Sequence, residues 1–140
     1  RGLAAALLMG AAGVQIGTRF LVAAECPVHE NMKQKLIEAV DTDTIVTGQT
    51  IGGAVRGIRN KFSEEFIELE HSGKADKETL LRLATGTNKL AAVDGAVENG
   101  MVQAGQSLLP LQRIEPMAEI IQSLIQEARQ TLQQANRLKI

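Results

Sequence analysis

Gly13-Val14-Gln15-Ile16-Gly17-Thr18-Arg19-Phe20 is the stretch on which the fold turns. Residues 14–22 are short, apolar, rich in β-branched side chains and without a helical stripe, so they are expected to form a buried strand. Ahead of them, residues 3–9 are Ala- and Leu-rich, a good helix, and Gly10 is suited to a left-handed C-cap. A helix followed by a near-continuous apolar strand is half of a βαβ repeat and favours a parallel sheet covered by helices. In such folds ligands lie at the carboxyl ends of the strands. Here that end is Gly17-Thr18. Gly17 lets a ligand approach the backbone N–H groups closely, and the Thr18 hydroxyl both donates and accepts. An anion, a phosphate above all, suits the place. The plainer reading is a core strand that happens to end in Gly-Thr, and the pattern alone does not separate the two.

The rest of the composition narrows the class. The chain has 140 residues, 44% of them hydrophobic, enough for one domain with a real core. Its formal net charge of −1 provides no basic footprint for nucleic acid or an anionic membrane, and its apolar runs are too short to span a bilayer. The single cysteine, Cys26, excludes an internal disulfide and a multi-cysteine zinc site and fits a cytoplasmic location. The aromatic residues are Phe20, Phe62 and Phe66, so the core rests on Leu, Ile, Val and Ala. Nothing resembles a signal peptide. The start at Arg1, helical in pattern by Leu3, reads as though further sequence precedes it.

Along the chain, residues 29–40 place Met32, Leu36, Ile37 and Val40 at helical spacing with Lys33 and Lys35 outward. Residues 43–47 and 54–58 are strand-like and are separated by Gly48, Gly52 and Gly53. Ser63 is the expected N-cap of a helix over 64–71, and Asp76 caps the next, with Leu80, Leu81 and Leu83 as its apolar residues. Residues 85–109 read as broken by Gly86, Gly95, Gly100 and Gly105. Pro116 opens a long helix whose stripe is Ile120, Ile121, Leu124, Ile125, Ala128 and Leu132. Glu64, Glu65, Glu68 and Glu70 read as a solvated helix face, His29 and His71 as surface or capping residues, and Cys26 as a quiet packed thiol.

Taken in order, these segments resemble the flavin-dependent family of nitronate monooxygenases and type II enoyl-(acyl-carrier-protein) reductases. Arg1-Gly2 is similar to the end of a Gly-Gly-Ile-x-Asp-Gly-Arg-Gly phosphate loop, and the stretch from Gly13 to Phe20 to the family's eighth-strand motif. Glu25-Cys26-Pro27, His29-Glu30, Asp41 to Gly48, Ala54-Val55-Arg56 and Arg59-Asn60-Lys61 follow, the later ones resembling the reductase branch. Gly100 to Gln106 resembles Gly-Ser-x-Met-Ala-Gly-Gln, but Met101 stands where Ser is usual and Gln103 where Met is usual.

The resemblance implies an α/β fold: the carboxy-terminal segment of an FMN-binding (β/α)8 TIM barrel. Residues 1–40 would be its last helix-strand-helix units, and residues 41–140 a mostly helical extension packed on the barrel. A barrel interior is built from all eight strands, so this stretch alone should not close one. FMN would be held by Gln15, Ile16, Gly17 and Thr18, with Gly105 and Gln106 near the flavin and substrate mouth; Arg19, one residue on, is expected to face solvent. No catalytic residue and no metal ligand is assigned, because the family's catalytic histidine would lie upstream of Arg1. The implied activity is reduction of an enoyl thioester carried by acyl-carrier protein, with NAD(P)H reducing the flavin. Oxidation of an alkyl nitronate is the alternative within the family, and a non-catalytic helical binding module the alternative from another class. A homodimer is an option for the full-length parent.

Overall fold

The computed structural model of the chain describes residues 1–136. Its order is α1 (Gly2–Leu8), α2 (Thr18–Leu21), α3 (Glu30–Glu38), β1 (Thr44–Thr47), β2 (Val55–Ile58), α4 (Lys61–Ser72), α5 (Lys77–Ala84), α6 (Thr87–Ala92) and α7 (Met117–Ala135). α1 stops as its sequence predicts, with Gly10 at a φ of 90° just beyond the Met9 C-cap. Its buried Ala4 lets it lie closely along α7.

The strand expected over residues 14–22 is absent. Residues 11–17 run without regular structure, and α2 starts at Thr18. A strand is stable only when a neighbour takes up its N–H and C=O groups. Among the described residues β1 and β2 pair with each other, leaving nothing for 14–17 to join. Val14, expected in the core, is therefore exposed. The one parallel contact nearby is a single bridge between Ala23 and Glu115.

β1 and β2 form where the strand-like stretches were expected, and they pair as an antiparallel hairpin from Thr44↔Ile58 to Thr47↔Val55. Its loop needs glycine at Gly48, where φ is 75° and an added Cβ would stand 2.6 Å from the Gly53 carbonyl oxygen. A third segment lies along β2: Ile58 N–H donates to the Val102 carbonyl (2.8 Å) and Ala104 N–H to that of Arg56 (3.2 Å). This ladder brings residues 101–104 beside the hairpin. Gly57 sits at the crossing because a Cβ there would meet Val102 O at 2.6 Å.

The helices differ from expectation in how they are capped and what they bury. His29 caps α3, its Nδ1 accepting from Asn31 N–H (3.1 Å), and the imidazole fills the space where a side chain on Gly95 would stand. Met32 and Leu36 are buried as predicted, but Lys33, expected outward, is buried too. Its stem packs inside while Nζ reaches the Glu30 carboxylate (3.1 Å) and the Ala24 carbonyl (3.4 Å). α4 is capped three residues before the expected Ser63. Asn60 is the N-cap, its Oδ1 accepting from Ser63 N–H (2.9 Å), and Ser63 Oγ accepts in return from Asn60 N–H (2.9 Å). Asp76 caps α5 as predicted, yet of its three leucines Leu80 alone is buried. In α7 the stripe is half used: Ile120 and Ala128 are buried, while Ile121 and Ile125 are exposed.

Two clusters form the core. The larger gathers Val22, Met32, Leu36, Ile58, Val102 and Leu108, with Ala91 and Leu111, and so joins α3, the hairpin, α6 and the 102–111 segment. The smaller, Ile51, Phe66 and Leu80 with Phe62 against them, packs α4 and α5 under the hairpin loop. No described helix is long and apolar enough to cross a membrane.

Candidate ligand site

Thr18 and Gly105, both singled out from sequence, meet. The Gly105 N–H donates to Thr18 Oγ1 at 2.9 Å. The hydroxyl accepts here, and its own O–H is a donor that a ligand can use. Gly17, Thr18 and Gly105 line one open cavity of about 360 Å³, whose other walls include Leu21, Val28, Met32 and Ala104. No atom lies within 4 Å of the place where a Cβ on Gly17 would stand, so the backbone there is open to an approaching group. Gly17 also precedes the first turn of α2, where N–H groups have no partner within the helix.

The remaining expected contacts lie elsewhere. Gln15 and Ile16 line a second cavity, of about 450 Å³, together with Arg1, Gly2, Arg19 and Ser107. Gln106 is exposed, and its carbonyl accepts from Leu108 N–H (3.0 Å). The structure thus brings together Gly17, Thr18 and Gly105, sets Gln15 and Ile16 next door with Arg1-Gly2, and leaves Gln106 outside both.

Arg19 does not face solvent. It pairs with Glu115, each side chain only 16% exposed, and Arg113 reaches the same carboxylate from outside (2.9 Å). Hydrogen bonds from Arg19 first, then Arg113, hold the Glu115 carboxyl below the ordinary carboxylate range. Arg19 Nη1 is buried without a hydrogen-bond partner among the described residues. The pair ties α2 to the segment leading into α7, whose first amide, Met117 N–H, is capped by Glu25 (2.8 Å).

Asp41 holds the other side of the site. Its Oδ1 accepts from Leu108 N–H (2.8 Å) and Leu109 N–H (2.9 Å), which fixes the chain just after Gly105. Asn60 does the same before it: Nδ2 donates to the carbonyls of Val97 (2.6 Å) and Gly100 (2.8 Å). Glu70, expected on a solvated face, is buried and closes the hairpin loop. It accepts from Gly48 N–H (3.0 Å), Thr50 N–H (2.8 Å) and Thr50 Oγ1 (2.9 Å). Burial pushes its carboxyl up, but these hydrogen bonds together outweigh burial and bring it below its usual value. Glu64, Glu65 and Glu68 are exposed, as expected of a helix face.

Two residues that sequence reasoning passed over also line the site. Asn88, in α6, and Gln103 stand in the wall of the Thr18 cavity and also in that of a smaller cavity of about 120 Å³ under the hairpin loop. Gln103 was visible as a departure from a motif; Asn88 carried no periodic or motif signal. His29 and His71 lie outside these cavities, His29 as a cap and His71 exposed.

Comparison with known proteins bears on what this geometry serves. The sequence profile described as nitronate monooxygenase matches residues 1–127. A probable nitronate monooxygenase of Staphylococcus aureus strain MSSA476 is 33% identical over 133 residues, which cover 95% of this chain and 37% of that protein. Its counterpart in strain MRSA252 has the same identity and coverage. Among solved structures, FabK from Thermotoga maritima superimposes with a TM-score of 0.90 at 33% identity, over 97% of this chain and 43% of the other. The chain therefore spans less than half the length of these relatives.

Proposed function

The chain belongs to the nitronate monooxygenase family, and from that premise we propose that it forms part of an FMN-dependent oxidoreductase, with Gly17, Thr18 and Gly105 at the phosphate end of the flavin. The observation that carries this reading is the Thr18 hydroxyl, held by the Gly105 amide beside an open glycine backbone. A phosphate is an acceptor only, so it needs donors in a place where it can come close. The N–H groups of Gly17 and Thr18 and the Thr18 hydroxyl supply them, and the residues present fit the group. Gln15 and Ile16, with Arg1 and Gly2, would bound the same ligand on its other side, while Gln106 takes no part in it. The residues 1–40 would then be the last units of a barrel and 41–140 its extension.

When bound, the flavin supplies the hydride chemistry, and the protein's work is to bind and orient it. In this stretch that work falls to backbone amides and one hydroxyl, held from behind by Asp41 and by the Arg19–Glu115 pair. Within the family we favour reduction of an enoyl thioester, with NAD(P)H as reductant. What supports it is the likeness to FabK and the segment from Asp41 to Lys61. Oxidation of alkyl nitronates is the second reading, favoured by the names of the staphylococcal relatives.

The test uses the full-length protein containing this chain. It should bind FMN, be yellow, and turn over crotonyl thioester with NADH. Turnover of a nitronate alone would refute the reductase reading, and absence of FMN affinity would refute the flavoenzyme reading. The 140-residue chain by itself is expected to bind FMN weakly or not at all; submicromolar binding would contradict that.

A further inference from the structure

α2 with the turn after it and the approach to α7 are fastened together at three points. The Arg19 guanidinium donates through Nη2 to Glu115 Oε2, Ala24 N–H donates to the Glu115 carbonyl (2.9 Å), and the Glu25 carboxylate accepts from Met117 N–H (2.8 Å). Glu115 is the centre of this clasp. Arg113 takes its other carboxylate oxygen from outside, with a side chain 72% exposed, and Pro116 follows at a ring-restricted φ of −56°. Farther on, α7 lies along α1, and its Ser123, Leu124 and Glu127 wall the cavity shared with Arg1, Gly2 and Gln15. One helix thus reaches both stretches that the flavin reading sets around the phosphate: Gly17-Thr18 through the residues that lead into it, and Arg1-Gly2 through its middle.

Arg19 directly follows Thr18, and its side chain is only 16% exposed. Its Nη1 has no hydrogen-bond partner among the described residues, so Glu115 is the carboxylate that balances it. A cation so enclosed keeps its place only while its counter-charge is there; without it the guanidinium turns toward water and draws the adjoining Thr18 with it. We propose that Glu115 is a positioning residue for the phosphate end of the flavin: through Arg19 it fixes the Gly17-Thr18 turn against Gly105, and it makes α7 the brace that keeps this turn and Arg1-Gly2 at one spacing. The proposal rests on the flavoenzyme reading for the phosphate. Its effect is opposite in sign to that of simple electrostatics. Taking a carboxylate away from beside an anion site should strengthen anion binding, whereas removing a group that acts by position weakens it. Loss of one hydrogen bond to a charged phosphate is enough to lower affinity about tenfold or more.

The experiment titrates the full-length protein containing this chain with FMN and with riboflavin, which has no phosphate, and follows flavin fluorescence. Glu115→Gln keeps the shape of the side chain and removes its charge. It should bind FMN about tenfold or more weakly than wild type and riboflavin as wild type does, so the preference for FMN narrows. Equal loss for both flavins would mark a role in stability alone, and unchanged or tighter FMN binding would mark a charge effect or no role; each overturns the proposal. Arg19→Gln leaves Glu115 paired with Arg113 and stands in should E115Q not fold. Its loss of FMN affinity should persist at about 0.5 M salt, where the field of a charge acting at a distance is largely screened; disappearance of the loss there would also overturn the proposal. Wild-type protein that binds neither flavin refutes the flavoenzyme reading and the proposal with it, whereas wild-type FMN binding with an unaltered preference in E115Q refutes the positioning role alone.

Discussion

Replacing Asn60 tests how the 97–106 segment is held in register with the hairpin. The side chain is buried and makes three hydrogen bonds: Oδ1 takes Ser63 N–H, and Nδ2 serves the carbonyls of Val97 and Gly100. Asn60→Ala removes the cap of α4, worth about 1 kcal/mol. It also leaves two largely buried carbonyl oxygens without donors, at about 1–3 kcal/mol each where water cannot replace the amide. The expected loss is roughly 3–7 kcal/mol, a large share of the stability of a domain this size. Asn60→Ser restores a capping oxygen but cannot span to the two carbonyls, so it should recover only about 1 kcal/mol. Urea unfolding followed by far-UV circular dichroism measures both, provided the m-value is unchanged. A loss below about 1 kcal/mol for N60A, or full recovery by N60S, would show that the two carbonyl contacts are replaced by water and that Asn60 acts as a helix cap alone.

Four further outcomes are expected. Glu70 has a lowered folded carboxyl, so its contribution is present above the ordinary carboxylate range and lost as pH falls through that range toward the folded value; urea midpoints from pH 7 to 3 should show a shallower acid decline in E70Q than in wild type. Gly100→Ala should cost more than about 2 kcal/mol by thermal melting, because its Cβ would stand 2.6 Å from Ala91 N and 2.7 Å from Thr87 O, backbone atoms that cannot move aside. Gly13→Ala, with open space around it, should be near neutral. Thr18→Val removes the acceptor for Gly105 N–H at an exposed place, so stability should fall by only about 1 kcal/mol while amide exchange at Gly105 speeds up; in the full-length protein, unchanged FMN affinity for T18V would refute the role given to the hydroxyl.

What was legible in the sequence was local. The two short strands on either side of the Gly48–Gly53 loop, the Asp76 cap and the Gly10 stop each depend on residues a few positions apart, and each formed as read. The strand over 14–22 failed because apolar periodicity reports that a segment would suit a sheet, not that a partner is at hand. Lys33 and Glu70 failed for a related reason. A charged side chain is read as outward, yet here an Ala24 carbonyl and Glu30, and the loop amides at Gly48 and Thr50, wait inside for each. Gly17, Thr18 and Gly105 were legible through motifs. The placing of Asn88 and Gln103 in the walls of both cavities was not, because it exists only where α6 and the segment along β2 come side by side.

The hydrogen bond from Gly105 to Thr18 joins residues 87 positions apart, whereas the hairpin closes over a dozen or so. Closing the longer span costs more chain entropy and yields little until the elements between have docked. The candidate site is therefore expected to be among the last parts of the molecule to assemble. Any lesion that delays the packing of α3, the hairpin or α6 should empty the site of function before it unfolds those elements, and ligand binding becomes a reporter of completed folding rather than of the health of its own few residues.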